Sequence, residues 1–151
     1  MSVVLAAGGT FPLLPVLVVL PVFGALAIAL TPSTRSETAR IIALMTTVMT
    51  AALGIYLLWN FDATDGTFQN LSSQSWIESL GISWLAGVDG ISLWLIVLTV
   101  LLFPLAIYAV IPEHSPKPYY AWLLVLQTGC LGVFVALDLF MFFVFFEIVL
   151  V

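Results

Sequence analysis

The residue that most invites a chemical role is a single carboxylate in an apolar run near the end of the chain. Glu147 follows Asp138 by nine positions, and the residues between them are all apolar. If a membrane helix begins at Asp138, a rise of about 1.5 Å per residue places Glu147 roughly 13–14 Å deep, near the middle of a ~30 Å hydrocarbon core. An acid at that depth costs about 2.5–3.5 kcal/mol to insert, and by default it marks an ion or proton path. We therefore predict that Glu147 carries a proton, alternating between its protonated and ionised forms.

Glu147 has an alternative interpretation as a structural acid held by an ion pair or by a hydrogen bond between helices. The one lysine of the chain, Lys117, lies in a loop and cannot reach that depth. Any buried cationic partner is therefore expected from sequence outside these residues or from another subunit. Asp138 is interpreted first as the N-cap of the same helix at the water boundary, with a proton-carrying role as the second interpretation.

The remaining reactive side chains have plainer interpretations. Asp89 stands among glycines where a helix starts, which is typical of a turn and an N-cap. His114 lies among prolines and is expected in a solvated loop, whereas Cys130 is expected to be a small packing residue inside a helix. With one cysteine and one histidine, the sequence offers no ligand set for zinc, an iron–sulfur cluster or haem, so we expect no cofactor and no metal in this chain.

The composition is that of an integral membrane protein. Apolar residues make up 63% and charged residues 7% of the 151 residues, against about 45–50% and about 25% in ordinary globular proteins. The three lysine and arginine residues are too few to form a basic patch for nucleic acid. We predict an all-α integral membrane protein in which residues 1–151 form a single membrane domain.

Apolar stretches predict about five membrane helices and one long outer loop. The helices are expected at residues 11–30, 40–61, 91–111, 119–136 and 139–151. The last is cut short, because it holds thirteen residues where about 20 are needed to span a membrane. As one helix, residues 119–151 would be about 50 Å long, and a break at Asp138 divides them. The second half of the 62–89 loop is amphipathic and is expected to lie along the membrane surface.

The basic residues predict the orientation of the chain in the membrane. Arg35, Arg40 and Lys117 fall in or beside the loops after the first and third helices, whereas the 62–89 loop has no basic residue. The positive-inside rule therefore places the N-terminus and the long loop outside. No lysine or arginine precedes the first apolar stretch, so we interpret this stretch as a retained helix and not as a signal peptide.

Two segments resemble subunit M of bacterial NADH–quinone oxidoreductase (respiratory complex I), the counterpart of mitochondrial NADH dehydrogenase chain 4. They are residues 87–94, with the sequence Gly-Val-Asp-Gly-Ile-Ser-Leu-Trp, and residues 132–147, which join Asp138 to Glu147 within an aromatic run. The resemblance implies that the chain is the front part of an antiporter-like bundle of about fourteen helices with inverted repeats. It also implies that Glu147 matches the glutamate of the family's fifth helix, which pairs with a lysine on the seventh.

The resemblance further implies a proton-translocating membrane-arm subunit of complex I in the bacterial inner (cytoplasmic) membrane. Such a subunit couples quinone reduction to proton pumping and has no redox centre of its own. NADH, FMN, iron–sulfur clusters and quinone are expected in other subunits, and the expected partners are further membrane-arm subunits and the lipid bilayer. The alternatives are a subunit of a multi-subunit Na⁺/H⁺ antiporter or of a membrane-bound hydrogenase, and a structural membrane spacer that would tolerate neutralisation of Glu147.

Overall fold

The computed structural model describes residues 12–32, 36–62, 67–77, 82–110, 112 and 116–150. These ranges contain α1 (Leu13–Leu30), α2 (Ser36–Trp59), β1 (Gln69–Ile77), β2 (Ile82–Val88), α3 (Gly90–Ala109), α4 (Pro116–Val135) and α5 (Leu139–Leu150). By length and composition, α1 to α4 can each cross a membrane, and α5 is a shorter apolar helix of 12 residues. The predicted helical membrane fold is therefore confirmed.

Successive helices from α1 to α4 alternate in direction, and two cations mark one shared end of the bundle. Lys117 Nζ, at the start of α4, donates to the carbonyl of Ala29 at 2.9 Å, near the end of α1. Arg40 Nη2, near the start of α2, donates to the carbonyl of Tyr108 at 2.9 Å, near the end of α3. The last carbonyls of a helix lack donors within the helix, and the helix dipole favours a cation there. Both cations therefore stabilise the end of a neighbouring antiparallel helix.

Two glycines lie where neighbouring helices pack tightly against each other. A Cβ at Gly24 of α1 would lie 2.6 Å from Thr46 Cγ2 of α2 and 2.9 Å from Leu124 Cδ1 of α4. A Cβ at Gly54 of α2 would lie 2.7 Å from Val100 Cγ2 of α3. Small residues let membrane helices pack closely. Three helices therefore meet at Gly24, and α2 meets α3 at Gly54.

The strands form a hairpin that packs on the ends of α4 and α5. Strands β1 and β2 pair antiparallel. The N–H of Leu137, between α4 and α5, donates to the carbonyl of Leu85 at 2.9 Å, and Trp84 meets Phe145 edge to face with ring centroids 6.0 Å apart. The hairpin is not predicted from the sequence, which indicates only an amphipathic segment on the membrane surface. Period-2 alternation also suits a strand with one face buried, and β2 buries that face against the helices.

Candidate functional site

One face of α5 is fixed against α4 by two glycines. A Cβ at Gly132 would overlap the ring of Phe145, and a Cβ at Gly129 would lie 2.8 Å from Val149 Cγ2. Phe145 is buried, and its ring also contacts Trp84. Because α4 has no side chain at these two positions, α5 lies close to it. The rotation of α5 about its own axis is thereby set.

Glu147 lies on the opposite, exposed face of α5. It is two positions from both Phe145 and Val149, and two positions correspond to about 200° around a helix axis. Within the described ranges its carboxylate has no hydrogen-bond or ion-pair partner. The sequence predicts a buried acid, whereas the described helices leave Glu147 uncovered. The reason is that the glycines of α4 select the other face of α5 for packing.

The register between α4 and α5 determines the height of Glu147 along the bundle. The two helices run antiparallel, and the glycine contacts put Glu147 level with Cys130. Cys130 lies fourteen residues after Pro116 and five before Val135, the ends of α4. The acid is therefore level with the interior of a helix that is long enough to cross a membrane. Its neighbours on the open side of α5 are large exposed apolar side chains: Leu139, Phe140, Phe142, Phe143, Phe146 and Leu150.

Asp138 caps the start of α5. Its Oδ1 accepts the N–H of Phe140 at 2.9 Å and the N–H of Met141 at 3.2 Å, which is the pattern of an N-cap. The cap interpretation is confirmed. Asp138 and Glu147 are nine residues apart, or roughly 13–14 Å along a helix axis, so the two carboxylates do not form one site. Asp138 instead fixes where the helix that carries Glu147 begins.

Asp89 caps α3 in the same way. The N–H of Ser92 donates to Asp89 Oδ1 at 2.8 Å, and the N–H of Asp89 donates to Ser92 Oγ at 3.1 Å, which completes a capping box. The hydroxyl of Ser92, followed by its backbone N–H, holds the pKa of the Asp89 carboxyl below its ordinary value of 3.8. The predicted cap is confirmed, and Asp89 is ionised at neutral pH.

The other reactive residues of the sequence do not join Glu147 in a cluster. Cys130 is a free, partly buried thiol in the interior of α4, and His114 lies outside the described residues. In the part of the chain that the structure describes, no three His, Cys, Asp or Glu side chains are grouped so that they could hold a metal ion. The candidate site on this chain is thus one carboxylate on an open helix face.

A buried amide that the sequence analysis does not single out lies on another side of α4. Gln127 is 0% exposed, and neither its Oε1 nor its Nε2 has a hydrogen-bond partner among the described residues. Around the axis of α4, Gln127 lies about 170° from the direction midway between Gly129 and Gly132, which is the face that meets α5. The available sequence signal is a lone amide within an otherwise apolar membrane segment.

Comparison with known proteins finds several with similar sequences. No family model matches the sequence. The chain is 37% identical over 147 residues to NAD(P)H-quinone oxidoreductase chain 4, chloroplastic, of Chara vulgaris, which covers 93% of this chain and 29% of the relative. It is 37% identical over 143 residues to NAD(P)H-quinone oxidoreductase chain 4-2 of a Synechocystis strain, covering 93% and 26% respectively. It is 38% identical over 104 residues to F(420)H(2) dehydrogenase subunit M of Methanosarcina mazei, covering 68% and 21%.

The fold and these relatives first define a class: this is a helical, multi-pass membrane protein related to chains of quinone oxidoreductase and dehydrogenase complexes. The particular resemblance to the chain 4, or subunit M, family is confirmed over 93% of the chain. The chain spans less than three tenths of the length of these relatives, between 21% and 29%.

Proposed function

We propose that this chain is the front part of a proton-translocating membrane-arm subunit of an NADH– or NAD(P)H–quinone oxidoreductase. The observation that carries the proposal is the match to chain 4 proteins over 93% of the chain. The electron-transfer steps take place in other subunits, which hold NADH, FMN, iron–sulfur clusters and quinone. The role of this chain is to bind and release protons inside the membrane.

Glu147 is the proposed proton carrier, and two features of the fold support that role. Asp138 fixes the start of α5 through two N–H donors. Gly129 and Gly132 fix the rotation of α5 by admitting Val149 and Phe145 against α4. Together they hold the carboxylate at one height and on one face, so that its access to a proton depends on what covers that face and not on movement of α5 itself.

A carboxylate on an apolar helix face responds strongly to a nearby charge. Charges inside a membrane are costly unless they are paired, so arrival of a cation favours the ionised form and its departure favours proton uptake. Moving one proton against a membrane potential requires about 2.3 kcal/mol per 100 mV. Forming and breaking one ion pair in a low-dielectric site is of that order. The partner cation comes from another part of the subunit or from a neighbouring subunit, because Arg40 and Lys117 both lie at the end of the bundle.

The proposal is tested by neutralising Glu147 in the full-length subunit within its assembled complex. Inverted membrane vesicles are supplied with NADH, and proton uptake and quinone reduction are followed in parallel while a native gel monitors assembly. We expect Glu147→Gln to abolish most NADH-driven proton uptake without loss of assembly. The matched control is Glu37→Gln, which makes the same chemical change at an exposed position in the first turn of α2. Normal pumping with Glu147→Gln would make the acid structural and would refute the proposed role.

A second candidate rests on the match to F(420)H(2) dehydrogenase subunit M, whose name gives F(420)H(2) in place of NAD(P)H. In this case the chain serves a related complex that NADH does not drive. Vesicles in which NADH gives no proton uptake, while another reduced donor or an imposed sodium gradient does, would favour this candidate or the antiporter alternative. We further propose a bacterial inner membrane with the N-terminus outside, which agrees with Arg40 and Lys117 lying at the same end of the bundle.

A further inference from the structure

The amide of Gln127 is the strongest sign of a second binding site in the bundle. Gln127 is 0% exposed, and both of its side-chain polar atoms lack a partner within the described ranges. A buried amide that makes no hydrogen bond is costly, and such groups in proteins are usually satisfied by protein or by ordered water. The side chain offers two N–H donors and one carbonyl acceptor to whatever lies beside it.

Two prolines supply further polar groups to the bundle interior. Pro21 lies inside α1 and Pro104 lies inside α3. Proline has no N–H, so each leaves the carbonyl four residues earlier without its usual helical donor. Those carbonyls belong to Leu17 and Val100, and both residues are 0% exposed. In membrane helices such freed carbonyls are re-satisfied by side chains of neighbouring helices or by ordered water.

The helix register brings one of these prolines level with the amide. Gly24 of α1 lies beside Leu124 of α4, and the two helices run in opposite directions. Pro21 precedes Gly24 by three residues, and Gln127 follows Leu124 by three residues. Pro21 and Gln127 therefore lie at the same height.

Pro104 and the hydroxyl of Thr50 also lie at this height, as the contacts of α2 with its neighbours show. Thr46 of α2 is level with Leu124, so Thr50, one turn on, is level with the next turn of α4. Gly54 of α2 lies beside Val100 of the antiparallel α3, which places Pro104 level with Thr50. Thr50 is 0% exposed and donates its hydroxyl to the carbonyl of Thr46 at 2.9 Å, so its oxygen is left as an acceptor.

We propose that this polar layer, defined by Gln127, Thr50 and the carbonyls of Leu17 and Val100, binds internal water inside the bundle. The layer contains more acceptors than donors, and a water molecule supplies the missing O–H donors while accepting from the amide of Gln127. No carboxylate belongs to the layer, so water fits it better than a cation. The layer lies on a side of α4 remote from α5, and the inference does not depend on the role of Glu147.

The first test is a map of the full-length subunit in its complex, at a resolution that shows ordered water, for wild type and Gln127→Met. We expect density within about 3.2 Å of a Gln127 side-chain atom in wild type and its loss in the variant. An amide bonded directly to a side chain from another part of the subunit would overturn the proposal. So would absence of density, or a density with several oxygen ligands at about 2.4 Å, which indicates a cation.

The sign of a stability change provides an independent test. If no water binds Gln127, Gln127→Met removes an unpaired amide and raises the midpoint of thermal unfolding of the subunit. If Gln127 holds water that also serves the proline-freed carbonyls, the substitution lowers the midpoint. We expect a lower midpoint. Leu57→Met is the matched control, because Leu57 is 0% exposed and lies about two turns beyond Thr50 on α2, so the same side chain enters the core away from the layer.

Discussion

The contact between α4 and α5 yields a sharp prediction, because a single added methyl group has no space there. A Cβ at Gly132 would overlap the ring of Phe145. That ring cannot simply swing away, since it is buried and also packs edge to face on Trp84 of the hairpin. Gly132→Ala therefore forces either α5 or the ring to shift.

The magnitude follows from two opposing effects. Overpacking of a tight core costs about 1–3 kcal/mol, and the confined ring at this position favours the upper end. Replacing glycine by alanine in a helix returns about 0.5–1 kcal/mol through reduced backbone entropy in the unfolded chain. The expected net destabilisation by Gly132→Ala is about 2 kcal/mol, or roughly 30-fold in the unfolding equilibrium.

The assay is reversible unfolding of the full-length subunit in mixed micelles, with tryptophan fluorescence as the signal. Gly90→Ala is the matched control, because a Cβ at Gly90 would meet nothing within 4 Å at the start of α3. We expect Gly90→Ala to be neutral or slightly stabilising. A companion variant that combines Gly132→Ala with Phe145→Leu, a smaller side chain, is expected to recover part of the loss. Equal stability of Gly132→Ala and Gly90→Ala would refute the packing that sets the rotation of α5.

Two further predictions concern the helix caps. The hydroxyl and N–H of Ser92 lower the pKa of Asp89 from its ordinary value of 3.8. The carboxylate's contribution to stability is therefore complete above that value and is lost as pH falls through the lower folded pKa. Unfolding midpoints measured at pH 7 and pH 3 should differ more for wild type than for Asp89→Asn, and an equal difference would contradict this. Asp138→Ala removes the acceptor for two N–H groups of α5 and should destabilise the subunit by about 1 kcal/mol. Asp138→Asn keeps an acceptor oxygen and should retain most of the stability. Equal losses in both variants, measured by the same unfolding assay, would show that Asp138 contributes its charge and not a cap.

Sequence reasoning locates the helices, and it places the starts of α3 and α5 within one residue, because the relevant signals are local. By contrast, α2 begins at Ser36 and α4 at Pro116, four and three residues before the predicted starts at 40 and 119. Apolar runs of about twenty residues demand helices in a membrane, since every backbone group must be paired internally. Asp89 and Asp138 are recognisable as caps because a short acidic side chain just before an apolar run can accept the free N–H groups of the first turn. Neither inference requires knowledge of how the helices pack.

The hairpin and the exposure of Glu147 depend on contacts between distant segments. Alternation around Trp84 suits a surface segment or a strand equally, and pairing of β1 with β2 decides between them. Which face of α5 is packed depends on Gly129 and Gly132 of α4, whose spacing of three is a sequence signal for close helix packing. Gln127 is a similar case, because its lack of partners becomes visible only when the neighbouring helices are in place.

The exposed position of Glu147 has a physical consequence for the whole subunit. A carboxylate that faces lipid within the membrane is unfavourable when ionised, so the open face of α5 is compatible with an ionised acid only where other protein covers it and provides a cation. The surrounding face is otherwise apolar, so covering it also buries several aromatic side chains and favours close packing. The helix is held firmly on its other side by α4 and the hairpin. Under the proposed function, a change in the covering protein is expected to alter the charge of Glu147 without displacing the helix that carries it.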